Sequence, residues 1–308
     1  MPATKPRELR PYEATVLGVF AVLPRLTIAQ VNRVLHAPSS EKYTGKVLAG
    51  IERDGYLLHG WEGGARNPNT AFVYAPALPG RRYLMGQSVV FPRAFRRQRE
   101  RMANPQLVAH SLGISDVLIT TARATAARPD LRVGEYRHDE YLKPVAVPIL
   151  GFAPDAFVRL AVGGRPAPFA VEYDRSGTER EEVWRGKIAN YLTKAEAYMD
   201  YFQARSIDVL TVVQPPRDEH IMMHATLAAM TPREREGRYR EKAHRRLREL
   251  ILWTGKELAA RRRESWAPLF WFTIESPADR YGEAAAAYFT GPRWYRPGEA
   301  SPRPFLPG

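Results

Sequence analysis

The sequence predicts a mixed α/β protein of two domains, and three observations support this prediction. The chain has 308 residues, more than one typical domain needs. Its N-terminal part breaks into short apolar segments separated by Pro and Gly, whereas the remainder alternates long amphipathic segments with short β-branched runs. We therefore expect a helical domain over residues 1–80, a basic linker over 81–104, an α/β domain over 105–290 and a Pro-rich tail over 291–308.

The charge balance of the chain points to a polyanionic partner. The sequence contains 46 Lys and Arg against 33 Asp and Glu, a formal net charge of +13. Proteins with such an excess commonly bind nucleic acid, so DNA is the expected partner. The alternative is a compositional bias in which Arg replaces Lys without any polyanionic ligand.

Two absences narrow the function classes further. The chain has no Cys, which excludes disulfides, thiolate catalysis and cysteine-ligated zinc. No stretch approaches the roughly 20 apolar residues of a membrane span, and the N-terminus lacks an apolar signal core. The expected location is cytoplasmic, with no membrane partner.

The N-terminal segment predicts a winged helix-turn-helix. Residues 12–23 read as an apolar helix that Pro24 stops, and Thr27 is a candidate N-cap for a second helix. A third helix begins after Ser39 or Ser40 and ends at Asp54-Gly55. Two short apolar runs follow, separated by a polar Gly/Asn-rich turn that is typical of a hairpin wing.

In that arrangement the third helix would enter the DNA major groove. Its candidate contacts are polar and aromatic, and further cations lie on the hairpin tip and in the linker. A domain that binds protein or forms a homodimer is the alternative, since winged helices do both. The candidate DNA-binding residues here are Lys42, Tyr43, Thr44, Lys46, Arg66, Arg96 and Arg97.

The remainder of the chain predicts the order α-β-β-β-α-β, followed by one more helix and strand. A helix over 106–127 leads into three strands, and a long helix over 179–204 leads into the apolar run Asp208–Val213. A second long helix over 231–263 and a strand over 269–274 complete the domain. Such an order builds a mixed sheet with helices packed on it.

Three acidic residues mark the second and third of these strands. Asp155 opens one apolar run, and Glu172 and Asp174 close the next, with Gly163-Gly164 as the turn between them. The hairpin would bring the carboxylates to one sheet edge. Carboxylate oxygens are ligands of hard divalent cations, so we expect a site for Mg²⁺ or Mn²⁺ that serves phosphate chemistry.

The same pattern resembles the core of PD-(D/E)XK nucleases, in which the Asp and Glu hold Mg²⁺. Asp155 and Glu172 match those positions, but Asp174 stands where that family has its lysine. Lys187 is a candidate displaced lysine on the following helix, and Tyr191 lies four residues on, on the same face. The alternative is a structural salt bridge between Lys187 and the acids.

The last long helix carries the densest positive charge in the chain. Twelve Lys or Arg lie between Arg233 and Arg263, and Arg245 and Arg246 are the candidate phosphate contacts among them. The alternative is an exposed helix with internal Glu–Arg pairs.

Several motifs follow the predicted winged helix in order. They are His110-Ser111-Leu112 with Asp116-Val117, Pro154-Asp155, Val171 to Glu179, and Lys187 with Tyr191. Taken together they resemble the replication-relaxation family of plasmid and mobile-element proteins, over roughly residues 10–225. The resemblance implies a DNA-acting protein in replication or transfer that works with other replication or transfer proteins. Its nuclease-like domain would be either a metal-dependent endonuclease or a non-catalytic scaffold for an accessory factor.

Overall fold

A computed structural model describes most of the chain as two compact units. One unit contains Met1–Ile119 and Arg137–Val145, and the other contains Thr120–Tyr136 and Ala146–Gly308. Arg66, Arg96 and Arg97 lie outside the described residues. The described ranges are 7–35, 41–61, 71–87, 102–176, 179–215, 230–275 and 287–306.

The first unit contains three helices, a three-stranded sheet and a fourth helix, in that general order. The sheet is antiparallel, with the order β1-β3-β2. The elements are α1 (Pro11–Val19), β1 (Leu26–Thr27), α2 (Ile28–Val34), α3 (Glu41–Arg53), β2 (Leu57–Trp61), β3 (Phe72–Pro76) and α4 (Leu78–Gly86).

Local signals in the sequence set several of these boundaries. Thr27 caps α2, since its side chain accepts a hydrogen bond from Gln30 N. Gly55 follows α3 with φ of 80°, a conformation that ends a helix and favours glycine. Residues 78–86 form α4, although the sequence placed the start of an extended linker at residue 81.

Buried polar contacts hold α2 within the first unit. Gln30 Nε2 donates to Asp116 Oδ1 at 2.8 Å, and Arg33 forms a buried ion pair with the same carboxylate. Thr44 Oγ1 donates to Asn32 Oδ1 at 2.9 Å, which joins α3 to α2. The acid of the His110–Asp116 motif therefore serves to position a helix.

The described chain after residue 104 contains the five strands of the larger sheet and further helices. Its elements are α5 (Pro105–Ala126), β4 (Leu131–His138), α6 (Asp139–Leu150), β5 (Ala156–Val162), β6 (Arg165–Asp174), α7 (Glu181–Thr193), α8 (Ala195–Tyr201), β7 (Asp208–Val213), α9 (Pro232–Ala260), a 3₁₀ helix (Glu264–Leu269) and β8 (Phe270–Ile274).

The large sheet is mixed, with five strands in the order β4-β5-β6-β7-β8. Strands β5 and β6 form an antiparallel hairpin, whereas β6, β7 and β8 run parallel. The hairpin turn is Gly163-Gly164, and both residues have positive φ, 55° and 81°. The expected mixed sheet is present.

Two features of the predicted element order were wrong. A helix, α6, lies between β4 and β5, where the sequence placed only strand followed by strand. Pro144 and Pro148 fall within α6 and hid its period. The long helix expected over 179–204 is two helices, α7 and α8, and Lys194 at their junction has φ of −114°.

Within the second unit, different elements pack on the two faces of this sheet. Helices α7 and α9 lie on the face that carries Glu172 and Asp174. The C-terminal segment covers the other face, where the ring of Phe169 contacts the rings of Phe289 and Phe305. The described part of the Pro-rich tail therefore packs on the sheet.

Candidate functional site

The candidate site lies at the end of the β5–β6 hairpin, under helix α7. The register pairs Ala156 with Val171, so Asp155 stands beside Glu172 where the two strands end. Both acids are buried, with 4% and 3% of their surface exposed. The sequence analysis expected the hairpin to bring the acids to one sheet edge. The register places Asp155 beside Glu172, but on the second and third of five strands rather than on an edge strand.

Backbone hydrogen bonds fix the position of Asp155. Its amide donates to Val171 O at 3.0 Å, and its Oδ2 accepts from Tyr173 N at 3.0 Å. Asp155 is therefore held against the backbone on either side of Glu172, through its amide on one side and its carboxylate on the other.

Both oxygens of Glu172 have partners on α7. Lys187 Nζ lies 2.9 Å from Oε2, and the Tyr191 hydroxyl donates to Oε1 at 2.6 Å. Lys187 also contacts Glu179 Oε1 at 2.6 Å, so one ammonium bridges two acids. The four-residue spacing of Lys187 and Tyr191 brings both to one carboxylate, as their shared helix face predicts.

The electrostatics of this group are those of a strongly coupled acidic cluster. Burial raises the pKa of Glu172, and the negative charge of Asp155 adds to the rise while Lys187 and Tyr191 oppose it. Burial disfavours the Lys187 ammonium, but Glu172, Asp155 and Glu179 outweigh it and raise the pKa of Lys187 well above its usual value. The neighbouring acids therefore favour the protonated form of Lys187.

Asp174 belongs to a separate ion pair. Arg246 on α9 binds it through two parallel hydrogen bonds, Nε to Oδ1 at 3.0 Å and Nη2 to Oδ2 at 2.8 Å. Ser176 N also donates to Oδ1, at 2.8 Å. Both carboxylate oxygens of Asp174 are thus engaged, and Arg246 gives this acid a counter-charge apart from Lys187. The expected role of Asp174 as a metal ligand stays a prediction.

The two candidate DNA-binding arginines on α9 have different environments. Arg246 is buried, 4% exposed, and its guanidinium also donates to Glu179 O at 3.0 Å. It therefore faces the sheet, and the expectation that it contacts DNA does not fit this geometry. Arg245 is exposed on the neighbouring position of the helix.

The candidate DNA-binding residues on α3 also include both exposed and buried side chains. Lys42, Tyr43 and Lys46 are exposed on α3, as a DNA-contacting helix would require. Thr44 is fully buried and bonded to Asn32, so its side chain does not reach the surface of α3.

The acids that remain fit a divalent cation in their donor chemistry. Asp155 and Glu172 supply carboxylate oxygens, which Mg²⁺ and Mn²⁺ prefer. A third polar group lies beside them: Thr211, paired in register with Glu172, has a buried hydroxyl for which the described residues offer no hydrogen-bond partner. The orphaned hydroxyl leaves an unused polar atom at the site, and a hydrated cation would use it.

A cavity of about 240 Å³ lies behind Tyr191 in the same unit. Its lining is largely apolar and aromatic, and includes Tyr198, Trp266 and Phe270. Arg205 is the charged residue of this lining, and neither Asp155 nor Glu172 belongs to it, so the cavity is separate from the acidic cluster.

Sequence reasoning missed three members of this region. Glu179 was noted only as the end of the Val171–Glu179 motif and Arg246 only as a candidate phosphate contact, although Glu179 binds Lys187 and Arg246 binds Asp174. Thr211 sits within an apolar run and gave no signal of its own. Only the register of β6 with β7 identifies it, and that register cannot be read from one sequence.

Fold and site together define an α/β protein with two buried acids, Asp155 and Glu172, and a half-buried Lys187 on a mixed sheet. A family model described as replication-relaxation matches residues 20–210, more than half of the chain. The chain belongs to the replication-relaxation family. This membership implies interaction with DNA and a role in the replication or relaxation of a plasmid or mobile element.

Other comparisons add no relative. No curated protein and no solved structure matches the chain. Among the described residues, no helix combines the length and apolar character that crossing a bilayer requires.

Proposed function

We propose that this protein binds DNA of a plasmid or mobile element and hydrolyses a phosphodiester there with Mg²⁺ or Mn²⁺. The observation that carries the proposal is the contact of Lys187 Nζ with Glu172 Oε2 at 2.9 Å, beside Asp155. The nuclease pattern has a lysine where this sequence has Asp174. Lys187 of α7 would supply the missing positive charge beside Glu172 instead. The DNA-binding element would be a winged helix-turn-helix formed by α1 to α3 with β2 and β3.

Each residue has a distinct part in this proposal. Asp155 and Glu172 would hold the cation, which when bound supplies Lewis-acid stabilisation of the phosphate. Lys187 places a positive charge beside the negative charge that develops on the phosphate oxygens in the transition state. Tyr191 fixes the rotamer of Glu172 through its 2.6 Å hydrogen bond.

The exposed cations supply the sequence-independent part of DNA binding. Lys42 and Lys46 on α3 and Arg245 on α9 are exposed, and a net charge of +13 favours association with phosphates. Tyr43 is 50% exposed and offers an aromatic face beside these lysines.

A second candidate function is that of a non-catalytic accessory factor for replication or transfer. Two observations favour it: both oxygens of Glu172 already have partners, and Arg246 neutralises Asp174. In this case Lys187 would be a structural partner of the acids, and the fold would serve as a scaffold for DNA binding.

An assay with supercoiled and single-stranded DNA separates the two functions. The nuclease proposal expects nicking with Mg²⁺ or Mn²⁺ that is lost in Glu172→Ala and in Lys187→Met, while DNA binding persists. Arg245→Gln is the matched control, because it should weaken binding without abolishing cleavage of bound DNA. Tight DNA binding with no cleavage under either metal would leave the accessory function.

A further inference from the structure

Strand β7 contributes a buried hydroxyl to the candidate site. Thr211 pairs with Glu172 in the parallel register of β6 and β7, so the two side chains leave the sheet on the same face. Neighbouring strands lie about 4.8 Å apart, which places the threonine next to the glutamate under α7.

The surroundings of Thr211 make its hydroxyl unusual. The residue is fully buried, and within the described part of the chain Oγ1 has no hydrogen-bond partner. On its other side Thr211 pairs with Phe272 of β8. The ring centroid of Phe272 lies 6.4 Å from that of Trp184 on α7. The hydroxyl therefore lies between an aromatic contact on one side and the acidic cluster on the other.

A buried hydroxyl without a partner is unfavourable, and valine has nearly the same shape without that penalty. Strand β7 is otherwise rich in such residues, with Val209, Val212 and Val213. A polar atom in this position is therefore explained best by a polar ligand that the described part of the chain does not supply.

We infer that Thr211 is a positioning residue of the cation site. Its hydroxyl bonds a water molecule that hydrates a divalent cation held by Asp155 and Glu172. Mg²⁺ and Mn²⁺ retain several waters in protein sites, and residues that bond those waters tune affinity. The inference rests on the proposed function, since it deepens the same cation site.

The test compares two properties of Thr211→Val, one without and one with the cation. In metal-free buffer the variant should melt at the same temperature as the wild type or higher, because an unpaired buried hydroxyl is removed. Its affinity for Mn²⁺, measured by isothermal titration calorimetry, should fall by about 10- to 100-fold. Thr211→Ser keeps the hydroxyl and should retain most of the affinity.

Thr273→Val is the matched control on the adjacent strand β8. Thr273 is also buried, but its hydroxyl donates to Arg293 O at 3.2 Å. Its replacement should lower the melting temperature and leave Mn²⁺ affinity unchanged. If Thr211→Val does not fold, Thr211→Ala compared with Thr211→Ser gives the same contrast.

The outcomes separate this inference from the function on which it rests. Wild-type protein that binds no Mn²⁺ overturns both. Wild-type protein that binds Mn²⁺ as tightly as Thr211→Val overturns the inference alone, and Thr211 then bonds only an ordinary buried water.

Discussion

Two consecutive arginines on α9 have different environments, one buried and one exposed, and a single sequence does not distinguish them. Arg246 forms a buried bidentate pair with Asp174, and Arg245 is exposed. Both belong to the same run of positive charge. The difference arises from helix geometry: residues one apart point about 100° apart, so only one of them can face the sheet.

This difference gives a paired stability prediction. Arg246→Met leaves the buried Asp174 carboxylate without its counter-charge and should cost about 3–5 kcal/mol of unfolding free energy. Arg245→Met changes an exposed side chain and should stay within about 0.5 kcal/mol of the wild type. Chemical denaturation of the two variants measures both values, and similar small effects would contradict the assignment.

The acidic cluster was predictable in part. Asp155, Glu172, Lys187 and Tyr191 were all identified, because the hairpin turn and the helical spacing are local signals. Asp174 was assigned to the same site, since residues two apart on a strand share a face. What the sequence could not supply was the guanidinium from α9, whose partner lies 72 residues away in the chain.

Among the secondary-structure elements, those with local start and stop signals were predicted best. Thr27 caps α2 and Thr231 caps α9, each through a hydrogen bond to the third residue that follows. Helix α6 was missed because two prolines interrupt its pattern and it follows a strand directly. Proline disfavours the interior of a helix, so a sequence with two prolines does not predict one. Only the tertiary packing of the segment could stabilise the helix despite them.

Helix α1 offers a pH-dependent test of capping. Hydrogen bonds from Arg7 and from Arg10 N lower the pKa of Glu13 to about 2, against an ordinary value of 4.5. A depressed folded-state pKa means that the carboxylate stabilises the fold above pH 4.5 and loses this contribution as pH falls toward 2.

The substitution Glu13→Gln should therefore lower stability by about 1 kcal/mol at neutral pH, the usual size of a capping contribution. The gap between variant and wild type should close as the buffer is taken from pH 5 to pH 2, because wild-type Glu13 becomes protonated. Thermal melts across this range measure the gap. A gap that stays constant with pH would show that the ionised carboxylate is not the stabilising group.

For the whole molecule, the excess of positive charge predicts the form of DNA binding. Affinity should fall linearly with salt on a double logarithmic plot, with a slope of about −0.9 for each phosphate contacted. Neutralising one exposed cation that meets a phosphate, such as Lys42→Gln or Arg245→Gln, should reduce the slope by about that amount.

Arg128→Gln serves as the control for this measurement. Arg128 is engaged with Asp130, its Nε 2.9 Å from Oδ1, so its loss should leave the slope unchanged. Fluorescence anisotropy with a labelled duplex at several salt concentrations provides the slopes. Equal slopes for all variants would remove α3 and α9 from the DNA interface.

The central claim is that Asp155 and Glu172 share one divalent cation beside Lys187. Anomalous diffraction from crystals soaked in Mn²⁺ locates such an ion without reference to activity. The claim predicts one peak with an oxygen of each carboxylate at a coordination distance of about 2.0–2.6 Å, and no peak in Glu172→Gln. A Glu172 carboxylate that remains bonded to Lys187 and Tyr191, with no manganese between it and Asp155, would contradict it.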